Sequence, residues 1–245
     1  MRELPLAFVQ ARVRWLEFPG DGRPTLFLHG LGCTGASDFA HVAARLPGRR
    51  SVLLDHLGFG LSDRPADFDY RIESHARVAA AVLDHLELSD VDVVAHSMGG
   101  AIAILLAAHR PELVRRLVLS EPNLDVGGGQ FSTLLAGRDP AGIDRIVKLT
   151  STPAFAARAR LADPVALVRS AEGLVASTDP TPFELLAKLV CPVRFLVGER
   201  SLPDADAERV AALGIPVSIV PRAGHDMSID NPDDFTAAVA AALVS

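Results

Sequence analysis

Residues 91–101 of the chain read Val-Asp-Val-Val-Ala-His-Ser-Met-Gly-Gly-Ala, and they form the strongest local signal in the sequence. The β-branched run at its start predicts a buried strand, and the small residues at its end predict the first turn of a helix. Ser97 stands between them at a sharp turn. Such a turn needs small residues two positions before and after the serine, because the backbone passes close to itself there. Ala95 and Gly99 meet that need. Ser97 is therefore a candidate nucleophile, and the alternative is a serine that only caps the helix.

A second motif, Leu26-Phe-Leu-His29-Gly30-Leu31-Gly32, places His-Gly directly after another predicted strand. An oxyanion hole needs two backbone N–H donors, one from the residue after the nucleophile and one from an earlier loop. We assign these donors to Met98 and Leu31. The neighbouring glycines let the backbone approach a substrate closely. We interpret His29 as a structural histidine that hydrogen-bonds its own loop.

The candidate general base is His225, in the segment Pro221-Arg-Ala-Gly-His-Asp-Met. It follows a predicted strand at residues 217–220, and the carboxyl ends of strands are where α/β sheets bind ligands. It also lies downstream of Ser97, as the order nucleophile, acid, histidine requires. The alternative is a solvated loop histidine. The remaining histidines are interpreted mostly as surface residues, with His96 at the border of the pocket: His41, His56, His75, His85, His96 and His109.

Strand and helix patterns alternate along most of the chain, which predicts an α/β fold with a mostly parallel central sheet flanked by helices. The start differs, since residues 6–11 and 13–18 resemble an opening strand pair. Strand signals also stop between residues 122 and 189, where proline-divided helical runs take over. We therefore predict a core formed by residues 1–125 and 190–245, with residues 126–189 as a helical lid or cap.

Composition narrows the function classes. The chain has 245 residues, 49% of them hydrophobic, and a net charge of −6 without a Lys/Arg cluster. This favours a large buried core and argues against nucleic-acid binding. The two cysteines show no zinc spacing. Residues 1–10 lack the apolar stretch of a signal peptide, and the longest apolar run, residues 101–108, is too short to cross a bilayer. We expect a cytoplasmic protein without stable membrane insertion, and the sequence does not indicate its oligomeric state.

Four stretches together resemble the α/β-hydrolase superfamily, over nearly the full length of the chain. They are the His29-Gly-Leu-Gly motif, the segment at residues 55–62 that matches the structural loop D-x-x-G-x-G-x-S, the turn around Ser97, and Ala223-Gly-His225. The resemblance implies the fold of that superfamily and a Ser-His-acid triad. One fold hosts many chemistries, so it does not identify the substrate.

The chain departs from the superfamily pattern at the triad acid. That acid most often lies three residues beyond a glycine that follows the strand predicted here at residues 193–197, and this position is Ser201. A serine does not stabilise an imidazolium as a carboxylate does. Glu121, which follows the strand predicted at residues 114–120, is our preferred acid, because some related haloalkane dehalogenases hold theirs at that place. Asp204 or Asp206 is the alternative, and a site without a functional acid is the third possibility.

The expected activity is that of a serine hydrolase that cleaves a small, mostly apolar ester-like substrate through an acyl-enzyme, as a carboxylesterase or lipase does. A serine nucleophile argues against dehalogenase and epoxide-hydrolase chemistry, which uses Asp at that position in this superfamily. Three alternatives remain: a carbon–carbon bond hydrolase of ring-cleavage products, an acyltransferase or thioesterase, and a non-catalytic ligand-binding protein. We expect a small-molecule substrate and neither a metal nor an organic cofactor.

Overall fold

The computed structural model describes residues 1–244, which are built around an eight-stranded sheet in the order β1-β2-β4-β3-β5-β6-β7-β8. The strands are β1 Arg2–Leu6, β2 Ala11–Phe18, β3 Gly22–Leu28, β4 Arg49–Asp55, β5 Val91–His96, β6 Val114–Ser120, β7 Val193–Gly198 and β8 Val217–Val220. The pairs from β4 to β8 are parallel, and β1 and β2 join the sheet in antiparallel fashion. This is the predicted fold class, the α/β-hydrolase fold.

The opening strand pair exists, but the prediction for its first strand was wrong. Residues 7–10 form a turn, and the first strand is Arg2–Leu6. Leu6 pairs with Ala11 across this turn. Residues 2–5 include charged residues and a proline, so they lack the apolar alternation from which a strand is predicted. An exposed edge strand tolerates such residues.

Helices cover both faces of the sheet. They are α1 Gly35–Ala43, α2 Ile72–His85, α3 Met98–His109, α4 Gln130–Leu135, α5 Ile143–Thr150, α6 Pro153–Ala159, α7 Pro164–Ala176, α8 Pro182–Leu186, α9 Ala205–Ala212, α10 Met227–Asp230 and α11 Pro232–Val244. Helices α2 and α3 pack together on one face, and α1 and α11 on the other. None of the helices within residues 1–244 is long and apolar enough to span a bilayer.

The central strands are buried on both faces, as expected for a parallel sheet between two helical layers. In β3, Leu26 and Leu28 contribute to the core under α2 and α3, whereas Phe27 packs with Phe39 in the core under α1 and α11. This alternation follows the two-residue period of a strand. Because β3, β5, β6 and β7 are parallel neighbours, their carboxyl ends lie side by side at one edge of the sheet, where the candidate residues meet.

Between β6 and β7 the described chain contains five α-helices, α4 to α8, and no strand. Helix α4 packs against α7, while α8 packs against α3 of the core. Three of these helices, α6, α7 and α8, carry proline in the first turn, where it costs no hydrogen bond. The proline-divided pattern of the sequence thus corresponds to separate short helices.

Candidate active site

Ser97 occupies a strained turn between β5 and α3. Its backbone has φ 51° and ψ −118°, a left-handed conformation that is unusual for a residue with a side chain. The Ser97 side chain makes no capping hydrogen bond to the helix, which removes the capping alternative. A Cβ at Gly99 would lie 2.2 Å from the carbonyl oxygen of Leu28, so only glycine fits against β3 there. The strain presents Ser97 at the edge of the sheet, as nucleophiles in such turns require.

The loop after β3 lies directly against this turn, because β3 and β5 are neighbours in the sheet. A Cβ at Gly30 would lie 3.3 Å from the Cβ of Ser97. Within residues 1–244, neither the N–H of Leu31 nor that of Met98 donates a hydrogen bond to the protein. Met98 also begins α3, where the helix dipole favours negative charge. Both predicted oxyanion donors therefore lie in segments that border Ser97.

Glu121 and His225 are joined by a hydrogen bond. His225 Nδ1 lies 2.7 Å from Glu121 Oε2, although the residues are 104 positions apart in the chain. The other carboxylate oxygen accepts the N–H of Gly198 at 2.9 Å. Burial raises the pKa of Glu121, but the hydrogen bond and charge of His225 outweigh it, and the net pKa is lowered. The carboxylate is thus held in its charged form, which is the form that orients an imidazole.

The alternative acids are occupied elsewhere. Asp204 caps α9 and accepts the N–H of Ala207 at 2.6 Å. Asp206 forms an ion pair with Arg209 at 3.0 Å. Ser201, at the position where the superfamily most often has its acid, contributes to lowering the pKa of Glu121. The serine therefore supports the carboxylate that comes from the neighbouring strand.

The Ser97 hydroxyl contacts a residue that the sequence analysis did not single out. Its Oγ donates to Asn123 Oδ1 at 3.4 Å, two residues after Glu121. Among the described residues, no hydrogen bond joins Ser97 to the imidazole of His225. Such bonds are often long in unliganded sites and shorten when substrate binds. Asn123 follows the preferred acid closely in the chain, and that proximity was the one sequence signal that pointed to it.

The interpretation of the remaining histidines as mostly surface residues was wrong for His56 and His75. His56 and His75 have no exposed surface and His96 is 6% exposed, whereas His85 and His109 are exposed. His29 does bind its own loop: its Nδ1 lies 2.8 Å from the carbonyl oxygen of Gly30, and its Nε2 accepts the N–H of His56. Among residues 1–244, the ring nitrogens of His56 and His75 have no hydrogen-bond partner.

Burial is the first cause of the low pKa values of this histidine group. It lowers the pKa of His29, holds that of His56 well below the ordinary value, and lowers that of His75 to about 3. These imidazoles are neutral at neutral pH. His75 shares the apolar face of α2 with Ile72, Ala76 and Ala79. That helical spacing was the signal that would have predicted its burial.

A buried charged group lies behind the site. Asp38 of α1 has no exposed surface, and its Oδ1 contacts Arg158 Nη1 of α6 at 2.5 Å. A second guanidinium nitrogen of Arg158 lies 3.2 Å from Asp226, the residue after the candidate base. Burial raises the pKa of Asp38, but His96 and Arg158 outweigh it and lower the pKa to about 2. Arg158 therefore ties the helical segment to both the core helix and the loop of His225.

Helix α6 also covers the oxyanion loop. A Cβ at Gly32 would lie 3.0 Å from the ring of Phe155. The rings of Phe155 and Phe131 meet edge to face with centroids 4.9 Å apart. An aromatic side chain of α6 thus lies against Gly32, the residue after the predicted oxyanion donor Leu31.

Within residues 1–244, no group of three or more His, Cys, Asp or Glu side chains is arranged to hold a metal ion. Both cysteines are free. Burial raises the pKa of Cys33 well above its ordinary value, so its thiol is a poor nucleophile. Of the side chains of Cys33 and Ser97, the Ser97 hydroxyl is therefore the candidate nucleophile, because it lies in the strained turn between β5 and α3.

Comparisons with known proteins agree with this architecture. The family described as the alpha/beta hydrolase fold matches residues 24–127. The chain is 43% identical over 108 residues to the 2-hydroxymuconate semialdehyde hydrolase of Pseudomonas sp. strain CF600, a match that covers 42% of this chain and 38% of the relative. It is 37% identical over 111 residues to haloalkane dehalogenase 2 of Mycobacterium tuberculosis strain H37Rv, covering 45% and 38%. The chain thus matches less than half the length of these relatives.

The solved structures match over the whole chain. An esterase from Exiguobacterium antarcticum superposes with a TM-score of 0.81, at 21% identity, and the match covers 99% of each chain. At this identity the likeness concerns the fold alone. The matched region of the sequence and the superposed fold identify the same architecture, with Ser97 at the turn that follows its fifth strand.

Proposed function

Since the chain belongs to the α/β-hydrolase superfamily, we propose that it is a serine hydrolase that cleaves a small, mostly apolar ester-like substrate through an acyl-enzyme. The observation that carries this proposal is the hydrogen bond between His225 Nδ1 and Glu121 Oε2, at the edge of the sheet where Ser97 sits in its strained turn. A histidine oriented by a buried carboxylate is the arrangement that activates a serine hydroxyl.

In the proposed reaction, Ser97 Oγ attacks the substrate carbonyl while His225 Nε2 takes the hydroxyl proton. Glu121 accepts the Nδ1–H of His225, which fixes the tautomer and stabilises the imidazolium. The N–H groups of Leu31 and Met98 hold the developing oxyanion. The imidazolium then returns the proton to the leaving alcohol. Water hydrolyses the acyl-enzyme with the same groups, so the reaction balances without metal or cofactor.

The apolar side chains beside the oxyanion loop support a small apolar acyl group as substrate. Phe131, Phe155 and Leu31 are apolar, and Phe155 stands against the oxyanion loop. Residues 126–189 act as a lid in this proposal, because Phe155 and Arg158 of α6 both reach the core beside the site. We infer that chain length of the acyl group is limited by α6, so short acyl esters are the preferred substrates.

A second candidate function is hydrolysis of a carbon–carbon bond in a ring-cleavage product. The similarity to 2-hydroxymuconate semialdehyde hydrolase favours it, and the family match over residues 24–127 includes the turn at Ser97. That chemistry also needs a serine, a histidine and an oxyanion hole. It differs in the substrate, which carries a conjugated dienol and a carboxylate.

Two assays on purified protein test these proposals. Chromogenic p-nitrophenyl esters from acetate to dodecanoate report ester cleavage and acyl length, and decay of the ultraviolet absorbance of a ring-cleavage dienol reports carbon–carbon cleavage. We expect turnover of the esters with a maximum at short acyl chains. Fast dienol cleavage with only trace ester turnover would transfer the assignment to the second candidate. Absence of both activities, with no reaction of a fluorophosphonate probe at Ser97, would make the protein a non-catalytic binder.

A further inference from the structure

His96, the residue before Ser97, contacts the loop that carries the candidate base. It ends β5 and is buried, with 6% of its surface exposed. Its Nε2 lies 3.0 Å from the backbone carbonyl oxygen of His225, and the centroids of the two rings are 4.8 Å apart. Because a carbonyl oxygen only accepts hydrogen bonds, His96 Nε2 must carry the proton and donate it.

The other ring nitrogen of His96 faces a fully buried carboxylate. His96 Nδ1 lies 3.4 Å from Asp38 Oδ2, which also accepts the N–H of Gly30 at 3.3 Å. Burial lowers the pKa of His96, but the hydrogen bond and charge of Asp38 outweigh it, and the net pKa is raised. Asp38 thus anchors His96 on the side opposite to His225.

We propose that His96, anchored by Asp38, is a positioning residue that holds the loop of His225 at the distance from Ser97 that proton transfer needs. This inference rests on the proposed serine hydrolase function. The His225 side chain is 52% exposed, so packing alone leaves it free to move. Glu121 holds the imidazole at one end, and the bond from His96 holds the backbone at the other.

His96 is also bonded directly to Ser97, so its contact with the His225 loop positions that loop relative to the nucleophile. His96 and Ser97 are consecutive residues at the rigid end of β5, so the same strand end carries both the nucleophile and the tether to the base. Any displacement of the strand end moves both together. A misplacement of about 1 Å between catalytic groups lowers turnover by about 10²-fold, which sets the scale of the expected effect.

Two substitutions separate the two contacts of His96. The amide nitrogen of Asn lies two bonds from Cβ, as does Nδ1 of histidine, so His96→Asn keeps a donor toward Asp38 and loses the bond to the His225 carbonyl. The amide nitrogen of Gln lies three bonds from Cβ, as does Nε2, so His96→Gln keeps a donor toward that carbonyl. His109→Asn, at the exposed end of α3, is the matched control.

The experiment measures kcat and KM for p-nitrophenyl butyrate, and the rate and final stoichiometry of labelling by a fluorophosphonate probe. We expect His96→Asn to lower kcat and the labelling rate together, by about 10- to 100-fold, with KM changed by less than about threefold. Labelling should still reach one probe per chain, and His96→Gln should recover most of the loss. If His96→Asn does not fold, His96→Leu takes its place with the same expected loss.

Three outcomes overturn the inference. The first is a His96→Asn variant with lowered thermal stability and an unchanged kcat per labelled site, which is the signature of a merely structural role. The second is a His96→Gln variant as slow as His96→Asn, which would show that the carbonyl bond is not the operative contact. The third is a wild type that neither cleaves esters nor labels at Ser97. That result would contradict the proposed function itself. It differs from the first two outcomes because in those the wild type is active.

Discussion

Arg158 of the inserted helix α6 lies 2.5 Å from Asp38 of the core helix α1, a residue without exposed surface. The same guanidinium reaches Asp226, next to the candidate base. The Arg158 side chain is itself only 10% exposed, so this ion pair is a buried one. Removing one partner of a buried pair leaves an uncompensated charge, and this is costly even where the intact pair adds little net stability.

Arg158→Gln should therefore destabilise the protein by about 3 kcal/mol or more, because Asp38 stays buried and loses the guanidinium that pairs with its Oδ1. Urea unfolding measures this free energy. Since α6 also loses its tie to the core, KM for short esters should change as well. Arg160→Gln, two residues on and exposed, is the matched control and should change the free energy of unfolding by less than about 0.5 kcal/mol. Equal effects of the two substitutions would contradict the role given to Arg158.

Glu121→Gln should lower kcat by roughly 10² to 10⁴, because an amide does not hold the tautomer of His225 that leaves Nε2 free. Asp204→Asn and Asp206→Asn should keep kcat within about twofold, and asparagine replaces aspartate well as the cap of α9. Steady-state kinetics on a p-nitrophenyl ester checks all three. Full activity of Glu121→Gln, with loss in either aspartate variant, would move the acid to the loop after β7.

The buried histidines make folding sensitive to acid. The folded-state pKa of His75 is lowered to about 3, against an ordinary value of 6.5 in the unfolded chain. A lowered pKa means that the unfolded state binds the proton first. The contribution of the neutral His75 to the free energy of unfolding is therefore complete above pH 6.5, and it is lost as the pH falls from there toward 3. At pH 5 the loss from His75 alone is on the order of 2 kcal/mol.

His75→Leu tests this directly, because leucine fills a similar volume and has no ring nitrogens to leave unpaired. The difference in free energy of unfolding between pH 7.5 and pH 5 should shrink by about 2 kcal/mol relative to wild type. Urea titrations at the two pH values measure it. His109→Asn, an exposed histidine, should leave that difference unchanged. An unchanged pH dependence in His75→Leu would show that another group controls the acid sensitivity.

The sequence predicted the parts of the site that depend on local chain geometry. The turn at Ser97 and the loop after β3 need glycine at Gly99 and Gly30, and close backbone contacts explain that need. The choice of Glu121 as the partner of His225 came from the serine at position 201 and from the resemblance to haloalkane dehalogenases that hold their acid after the equivalent strand. The turn at Ser97 and the loop after β3 each carry a short signal whose residues lie close together in the chain.

The parts that the sequence did not reveal depend on distant packing. Asp38 and Arg158 are 120 residues apart, and neither stands in a motif. Their contact exists only because α6 folds back over α1. The burial of His56 was missed for a related reason: a polar residue that follows an apolar strand is interpreted as exposed, whereas here the surrounding layers enclose it.

If Ser97 is the nucleophile of a serine hydrolase, turnover of a short p-nitrophenyl ester requires its hydroxyl, and a comparison of purified wild type with Ser97→Ala measures this requirement. The substitution removes one hydroxyl from a turn whose backbone stays in place, so the fold should be unaffected by circular dichroism and thermal unfolding. We predict that kcat falls by roughly 10³ or more, since removal of a triad member leaves only binding and the oxyanion hole. Turnover by Ser97→Ala within about tenfold of wild type would show that Ser97 is not the nucleophile.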